Sequence, residues 1–430
     1  MKKIFVSVGL AAAGAAGFTS AMAQSMEAGP TPKMWNVNGS LRGFYDDNYA
    51  VANNKKGSFG IELTPSASAN IDLQQTTIGI RYTFGMYWYQ QRADNGMNAV
   101  DYTHQADLWL EHAFTGRVKL NLTDTFAVAQ DPKLVDGGAV TRVEGNNLAN
   151  HAKATLTTDW TRQFSTATFY GNDLYIYSDS GTTNAAAGTD PSTAALLNRI
   201  EQKVGTDFQW HFQPETVGFI GYAYSWVRYT GDKQISPQQV IGSKLITYMS
   251  DARNYNAHYG YVGVSHEFSP NLSGTGRVGA SYTDLYNDPV SASKSWAPYA
   301  DLSVVYTYIP GSYMQAGYRQ DMNSTDIVAP NNAGHLTQYQ ESSVFYFDIN
   351  HRFTPKITGS LVSQYMYSSY KEGAYSGNGD SAVSAGVNLT YQINRHFSCE
   401  AGYNFDELFS SISGRDNTRN RVYIGLGAQY

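Results

Sequence analysis

Charged side chains in this chain seldom cluster. They recur singly among Ser, Thr, Gly, Asn and Tyr, at positions that alternate with apolar residues. Arg42, Arg81, Lys119, Asp207, Arg277, Asp301, Arg319, Asp348 and Arg421 form this set, with Glu62, Glu201, Lys203 and Glu400 among them. Fixed charges of both signs around a wet path bias which ions and solutes pass. The same charges can also pair across the space and stiffen its wall, and the sequence leaves both roles open. Catalysis has less support. The nine His are scattered, and Ser265 and His266 would point to opposite faces of a strand. His112 and His351 show no partner, so nucleophile, base and orienting group do not come together. Neither a Cys/His metal spacing, a phosphate loop nor a nucleophile elbow is present. Asp46-Asp47-Asn48 and Asp284 with Asn287 and Asp288 offer hard oxygen ligands but lack the spacing of a calcium loop, and are read as solvated carboxylates. No enzyme, metal or cofactor is expected.

The elements that must position these charges are strands. Side chains alternate faces along a strand, and Val422, Ile424, Leu426, Ala428 and Tyr430 share one face of the final segment, while Tyr423, Gly425, Gly427 and Gln429 share the other. This apolar-alternating end with its aromatic last residue resembles the C-terminal insertion signal of bacterial outer-membrane β-barrels. The resemblance implies that the barrel-assembly machinery is a partner through this strand. At the other end, Lys2 and Lys3 precede an uncharged Ala- and Gly-rich run, and Ala21-Met22-Ala23 matches a small-x-small cleavage site. The expectation is a signal peptide over 1–23, a short periplasmic segment over 24–33 and a barrel over 34–430. The run is too short and too weak for a spanning helix. A closed barrel is the other structure that satisfies every backbone group in hydrocarbon.

Composition agrees. Charged residues make up 15%, against roughly 25% in ordinary soluble domains, and aromatics at 14% suit two interfacial girdles. A net charge of −6 argues against a nucleic-acid partner. The single Cys399 falls in the alternating set Phe397, Cys399, Ala401, Tyr403 and Phe405, so it reads as a small apolar group facing lipid. A secreted sandwich would carry more charge on its exposed face, and a solenoid would repeat at a fixed period.

Tight turns punctuate the chain at Gln74-Gln75, Thr115-Gly116, Thr161-Arg162, Gln213-Pro214, Ser269-Pro270-Asn271, Pro310-Gly311, Thr354-Pro355 and Asn394-Arg395. Longer polar segments, such as Asp131 to Asn150, Ser178 to Ala195, Gly231 to Arg253 and Met322 to Thr337, lie between them. Short turns on one side and long loops on the other is the outer-membrane asymmetry. Eight turns join sixteen strands, and a first strand near Trp35 to Tyr45 with a last near Val422 to Tyr430 brings the count to eighteen. The expected fold is therefore an all-β, antiparallel, up-and-down transmembrane barrel of about 18 strands, with 16 as the alternative.

An 18-stranded cylinder is too wide for side chains alone to fill. The expected function is an outer-membrane porin-like channel for passive diffusion of small hydrophilic solutes in a diderm bacterium, with membrane lipid around it. The alternative is a non-conducting barrel whose loops bind polysaccharide or a surface partner. Counting from the turns puts Arg81, Asp207, Arg277, Asp301, Arg319 and Asp348 near mid-membrane, where both signs together suggest a constriction ring, and Arg421, Arg42 and Arg81 are expected to form a basic stripe inside an otherwise mixed collar. Asp131 to Asn150 is the candidate for an inward-folded loop. Tyr365 and Tyr367 look like an upper girdle with Tyr370 just above. Asp124 is a misfit in the apolar set Val118, Leu120, Leu122, Phe126 and Val128, and a bulge or a strand end above the bilayer is expected there. One further resemblance is local: Arg42-Gly43-Phe44-Tyr45-Asp46-Asp47-Asn48 is similar to the Tyr-Asp-Asp-Asn segment that opens some β-barrel porin families. It implies a porin-like outer-membrane protein.

Overall fold

The computed structural model describes residues 34–96, 98–129, 147–178 and 192–430. The strands are β1 (Trp35–Asp46), β2 (Ser58–Asp72), β3 (Thr76–Tyr89), β4 (Val100–Ala113), β5 (Val118–Ala129), β6 (Asn147–Asp159), β7 (Phe164–Ile176), β8 (Arg199–Gln213), β9 (Thr216–Tyr229), β10 (Gln234–Ile241) and β11 (Lys244–Met249). They continue as β12 (Tyr255–Ser269), β13 (Leu272–Leu285), β14 (Ser293–Ile309), β15 (Ser312–Ser324), β16 (Tyr339–Thr354), β17 (Ile357–Lys371), β18 (Gly379–Gln392), β19 (Phe397–Ser410) and β20 (Asn417–Gln429). Neighbours in sequence pair antiparallel, β9 pairs with β12, and β1 pairs with both β2 and β20. The sheet is thus a closed barrel of 18 strands, with no free edge to template aggregation. The β10–β11 hairpin stands outside it, so the stretch from Gly231 to Arg253 is ordered rather than a plain polar loop.

All eight expected turns join adjacent strands at one end. Barrel strands run from 12 residues in β1 to 17 in β14, more than the roughly 9 to 11 a tilted crossing needs, so many project beyond the bilayer. The outward face is apolar: Leu41 is 52% exposed, Ile220 65% and Ile424 70%. Such exposure is costly in water and favourable in lipid. Tyr365 and Tyr367 belong to this face, whereas Tyr370 turns inward, is fully buried and donates its hydroxyl to Asp380. Cys399 lies on the outward face between Tyr391 and Leu426 in the ladder. Asp124 also faces outward, with neither a bulge nor a strand end to account for it. Pairing runs unbroken through Leu108, Asp124 and Ala152, and Asn150 Nδ2 donates to the carboxylate at 2.6 Å.

Glycine and aromatic residues are abundant for a shared reason. On the inner face Phe44 lies opposite Gly60, Trp109 opposite Gly79, Tyr261 opposite Gly221 and Tyr423 opposite Gly402. A Cβ built on any of these glycines would overlap the ring beside it. The missing side chain lets each ring lie flat against the neighbouring strand, covering its backbone instead of projecting inward.

Barrel closure has its own clasp. Asp46 accepts from Arg419 Nη2 at 2.6 Å and from Nε at 3.0 Å. Asp47 accepts from the Asn420 backbone N–H at 2.6 Å and from its side-chain amide at 2.8 Å. Asn48 Nδ2 donates to the Thr418 carbonyl at 3.0 Å. The Asp46-Asp47-Asn48 run therefore ties the outer end of the first strand to the last. Its oxygens are occupied by protein donors. Asp288 is likewise engaged, accepting from the backbone N–H groups of Val290 and Ser291 and from Gln338.

Candidate channel lining

The strand register turns Arg42, Arg81, Lys119, Asp207, Arg277, Asp301, Arg319, Asp348 and Arg421 toward the barrel interior, opposite the apolar set. They gather in two places. On the wall at the seam, Arg42 Nε and Nη2 donate to Glu400 at 2.7 and 3.0 Å, and its Nη1 donates to Glu62 at 3.1 Å. Arg421 Nη2 meets the other oxygen of Glu62 at 3.1 Å. The Arg42 guanidinium lies 4.8 Å from the Tyr423 ring centre and that of Arg421 4.0 Å from that of Phe44. Only 8% of the Arg42 side chain remains exposed. Arg42 and Arg421 thus meet at the seam within a collar of both signs. Glu62 and Glu400 interleave with Arg42 and Arg421 because like guanidinium groups at this spacing repel unless acids separate them. The group of four is neutral.

On the far wall Arg277, Asp301 and Arg319 occupy one row across β13, β14 and β15, with alternating sign. Asp207 joins them, accepting from the Tyr261 hydroxyl at 2.6 Å and lying 3.3 Å from Arg277 Nη2. Glu201 on β8 accepts from Ser324 on β15 at 3.4 Å, although those strands are five apart around the barrel. This sector is strongly curved, and Phe219, Tyr255, Tyr259, Tyr261 and Tyr299 fill the curve as a buried aromatic cluster. Arg81, Lys119 and Asp348 stand elsewhere. Arg81 stacks 5.6 Å from the Trp109 ring centre opposite Asp107, Lys119 sits near the short-turn mouth opposite Thr157, and Asp348 pairs in register with Gln315 and Val362.

Several charged residues at the outer end were not visible as a group in the sequence. Arg92 donates to Asp101 at 2.6 Å beneath the rings of Tyr49 and Tyr89. Arg253, fully buried, donates to the carbonyls of Leu196 and Thr325, and Ser250 donates to that of Ala195. These bonds knit the outer loops to one another with a small core of Ala195, Ile235, Tyr248 and Leu336. Most of the segment from Asp131 to Asn150, expected to fold inward, lies outside the described residues, and Asn147–Asn150 begin β6. The partners of Arg253 are carbonyls 57 and 72 residues away. No local spacing encodes that.

The short-turn rim carries a repeated arrangement. His112, His266 and His351 each stand edge-on to the Phe two residues later, with centroids 4.5 to 4.6 Å apart. The Nδ1 atom of each shares a hydrogen bond with a hydroxyl on another strand, of Thr76, Thr216 and Tyr308 respectively. These histidines serve an interfacial girdle. Ser265 faces inward, away from His266.

A closed 18-stranded barrel with an apolar outside and a charged inside is now in view, and comparison with known families agrees with it. The family model described as "Putative beta-barrel porin 2" matches residues 35–430. The chain belongs to this family. Family and fold together make it a porin-like outer-membrane barrel and point to a channel rather than an enzyme. A search of curated proteins returns no match. Among solved structures it is similar to a BenF-like porin from Pseudomonas fluorescens Pf-5, at 12% identity over 92% of this chain and 99% of that one, with a TM-score of 0.45. It is also similar to OpdK, an outer-membrane protein of Pseudomonas aeruginosa, at 10% identity over 92% and 99%, with a TM-score of 0.43. OccAB4 of Acinetobacter baumannii gives 13% identity over 93% and 99%, with a TM-score of 0.41.

Proposed function

We propose that this porin-like barrel is a passive channel for small hydrophilic solutes, sorted by charge on the inner wall away from the seam. The observation that carries the reading is the division of faces around all 18 strands. Apolar side chains line the outside, and polar and charged ones line the inside. The neutral group at the seam contributes rigidity, and the Arg277, Asp301 and Arg319 row with Arg81 provides the field that solutes meet. The first 23 residues act as a signal peptide cleaved after Ala23, leaving 24–33 in the periplasm. The outward set Val422, Ile424, Leu426, Ala428 and Tyr430 is what the assembly machinery reads.

Planar-bilayer recording of the refolded protein tests the proposal. Stepwise openings in potassium chloride are expected, and Arg81→Glu is expected to move the reversal potential toward cation preference. A folded barrel that never conducts would overturn the channel reading.

A further inference from the structure

Asp124 belongs to a polar patch on the outward face. One cross-strand row joins Asp124 on β5, Ala152 on β6, Asn172 on β7 and Gln202 on β8, and Asn150 shares their face. The row ends in Leu108 on β4 and Trp226 on β9. Leu148, Leu174 and Ile200 continue the apolar face above the patch, and Leu122, Ala154 and Val204 continue it below. With apolar side chains on every side, these polar groups are set in the lipid-facing band and not beyond it. Farther round the wall the row of Ile220, Val262, Val278 and Ala300 is apolar throughout.

The two central amides are each fixed at one end. Asn150 Nδ2 donates to Asp124 at 2.6 Å, which turns Asn150 Oδ1 away from the carboxylate. Gln202 Nε2 donates to Asn172 Oδ1 at 3.2 Å, which leaves the Asn172 amide nitrogen as a donor. Among the described residues neither Asn150 Oδ1 nor Asn172 Nδ2 has a partner. Hydrocarbon supplies none, and amide groups left over in it are costly. One strand thus carries a spare acceptor and the next a spare donor, so the surface is complementary to itself. A twofold axis along the membrane normal, passing between β6 and β7, sets β6 of one copy against β7 of the other and closes both bonds at once. Such an axis needs the two amides at one height, and Asn150 and Asn172 are nearly level when counted from the Thr161-Arg162 turn that joins their strands. The same operation lays Tyr170, 42% exposed, on the small Ala154 of the second copy. An anionic lipid headgroup fits less well, since the Asp124 carboxylate repels it.

We propose that the outward face of β6 and β7 is an interface with a second copy of this chain, in which Asn150 Oδ1 of each accepts from Asn172 Nδ2 of the other. Asp124 and Gln202 are positioning residues, each holding one amide in the orientation its counterpart needs. The pairing does not depend on whether the barrel conducts.

Disulfide trapping in vesicles of phosphatidylethanolamine and phosphatidylglycerol, with light scattering in mild detergent, tests the interface. Both use the refolded barrel carrying Cys399→Ser, which removes the native thiol. Ala152→Cys, beside the axis, is expected to give a covalent dimer on oxidation, and Ile220→Cys, elsewhere on the wall, to give none. Asn150→Leu combined with Asn172→Leu is expected to halve the scattering mass and abolish the Ala152→Cys dimer, and Asp124→Leu to lower its yield. Heat-modifiable migration on a gel confirms that each variant is folded. A barrel that is monomeric at every concentration and untrapped at Ala152, a dimer indifferent to the double replacement, or equal trapping at Ile220 overturns the interface. A trimer overturns the twofold axis. Trapping that disappears once lipopolysaccharide is added to the vesicles assigns the patch to lipid and overturns the second copy.

Discussion

Replacing Arg42 by Ala separates a wall clamp from a selectivity filter. The guanidinium makes three charge-assisted bonds, at 2.7, 3.0 and 3.1 Å, to two carboxylates. After truncation Glu62 still has Arg421 at 3.1 Å, but Glu400 loses the two bonds Arg42 gives it. Breaking a buried pair from one side costs 3 to 5 kcal/mol, and with one acid still partnered the expected loss is about 3 kcal/mol. Removing the stranded charge as well, in Arg42→Ala with Glu400→Gln, should recover most of that. Urea unfolding of the barrel in lipid vesicles, run as a double-mutant cycle, gives both numbers. The single variant should shift reversal potential less than Arg81→Ala, which removes the same charge, because Arg42 lies behind its own counter-ions. A variant of unchanged stability whose selectivity moves as far as that of Arg81→Ala would refute this account.

Two other perturbations probe different parts of the wall. Gly221→Val puts a side chain where the Tyr261 ring lies, so the ring must swing inward and release Asp207. A destabilisation of about 1 to 3 kcal/mol and a smaller single-channel conductance are expected, whereas Gly43→Ala, which meets nothing within 4 Å, should leave both unchanged. Asp47, in the outer loop after β1, is pushed up by partial burial, but the backbone N–H and side-chain amide of Asn420 and the ammonium of Lys55 outweigh this and hold its pKa below the ordinary value. A lowered carboxylate pKa gives stability that is present above the unfolded value, near 4, and lost as pH falls through the folded one. Hydrogen exchange at the Asn420 amide should therefore accelerate only below about pH 4, and Asp47→Asn should flatten that acid response.

The sequence by itself determined everything that depends on neighbours along the chain. Alternation at Val422 to Tyr430 and the eight turns gave faces, strand number and closure, because a side-chain period of two leaves one face for lipid and one for water. It also placed charges such as Arg42 and Arg277 on the inner face. Only the tertiary structure decided what those charges do. Arg42 is neutralised by Glu400, 358 residues away, and the clasp at Asp46 needs Arg419, 373 residues on. Lys153 and Lys203 share one cross-strand row because β6 pairs with β7 and β7 with β8. Asp124, a misfit in its own strand, is explained by an amide on the next one. Ion pairing depends on distances of a few ångströms between strands, and these are fixed by register and barrel curvature, which a linear pattern does not encode.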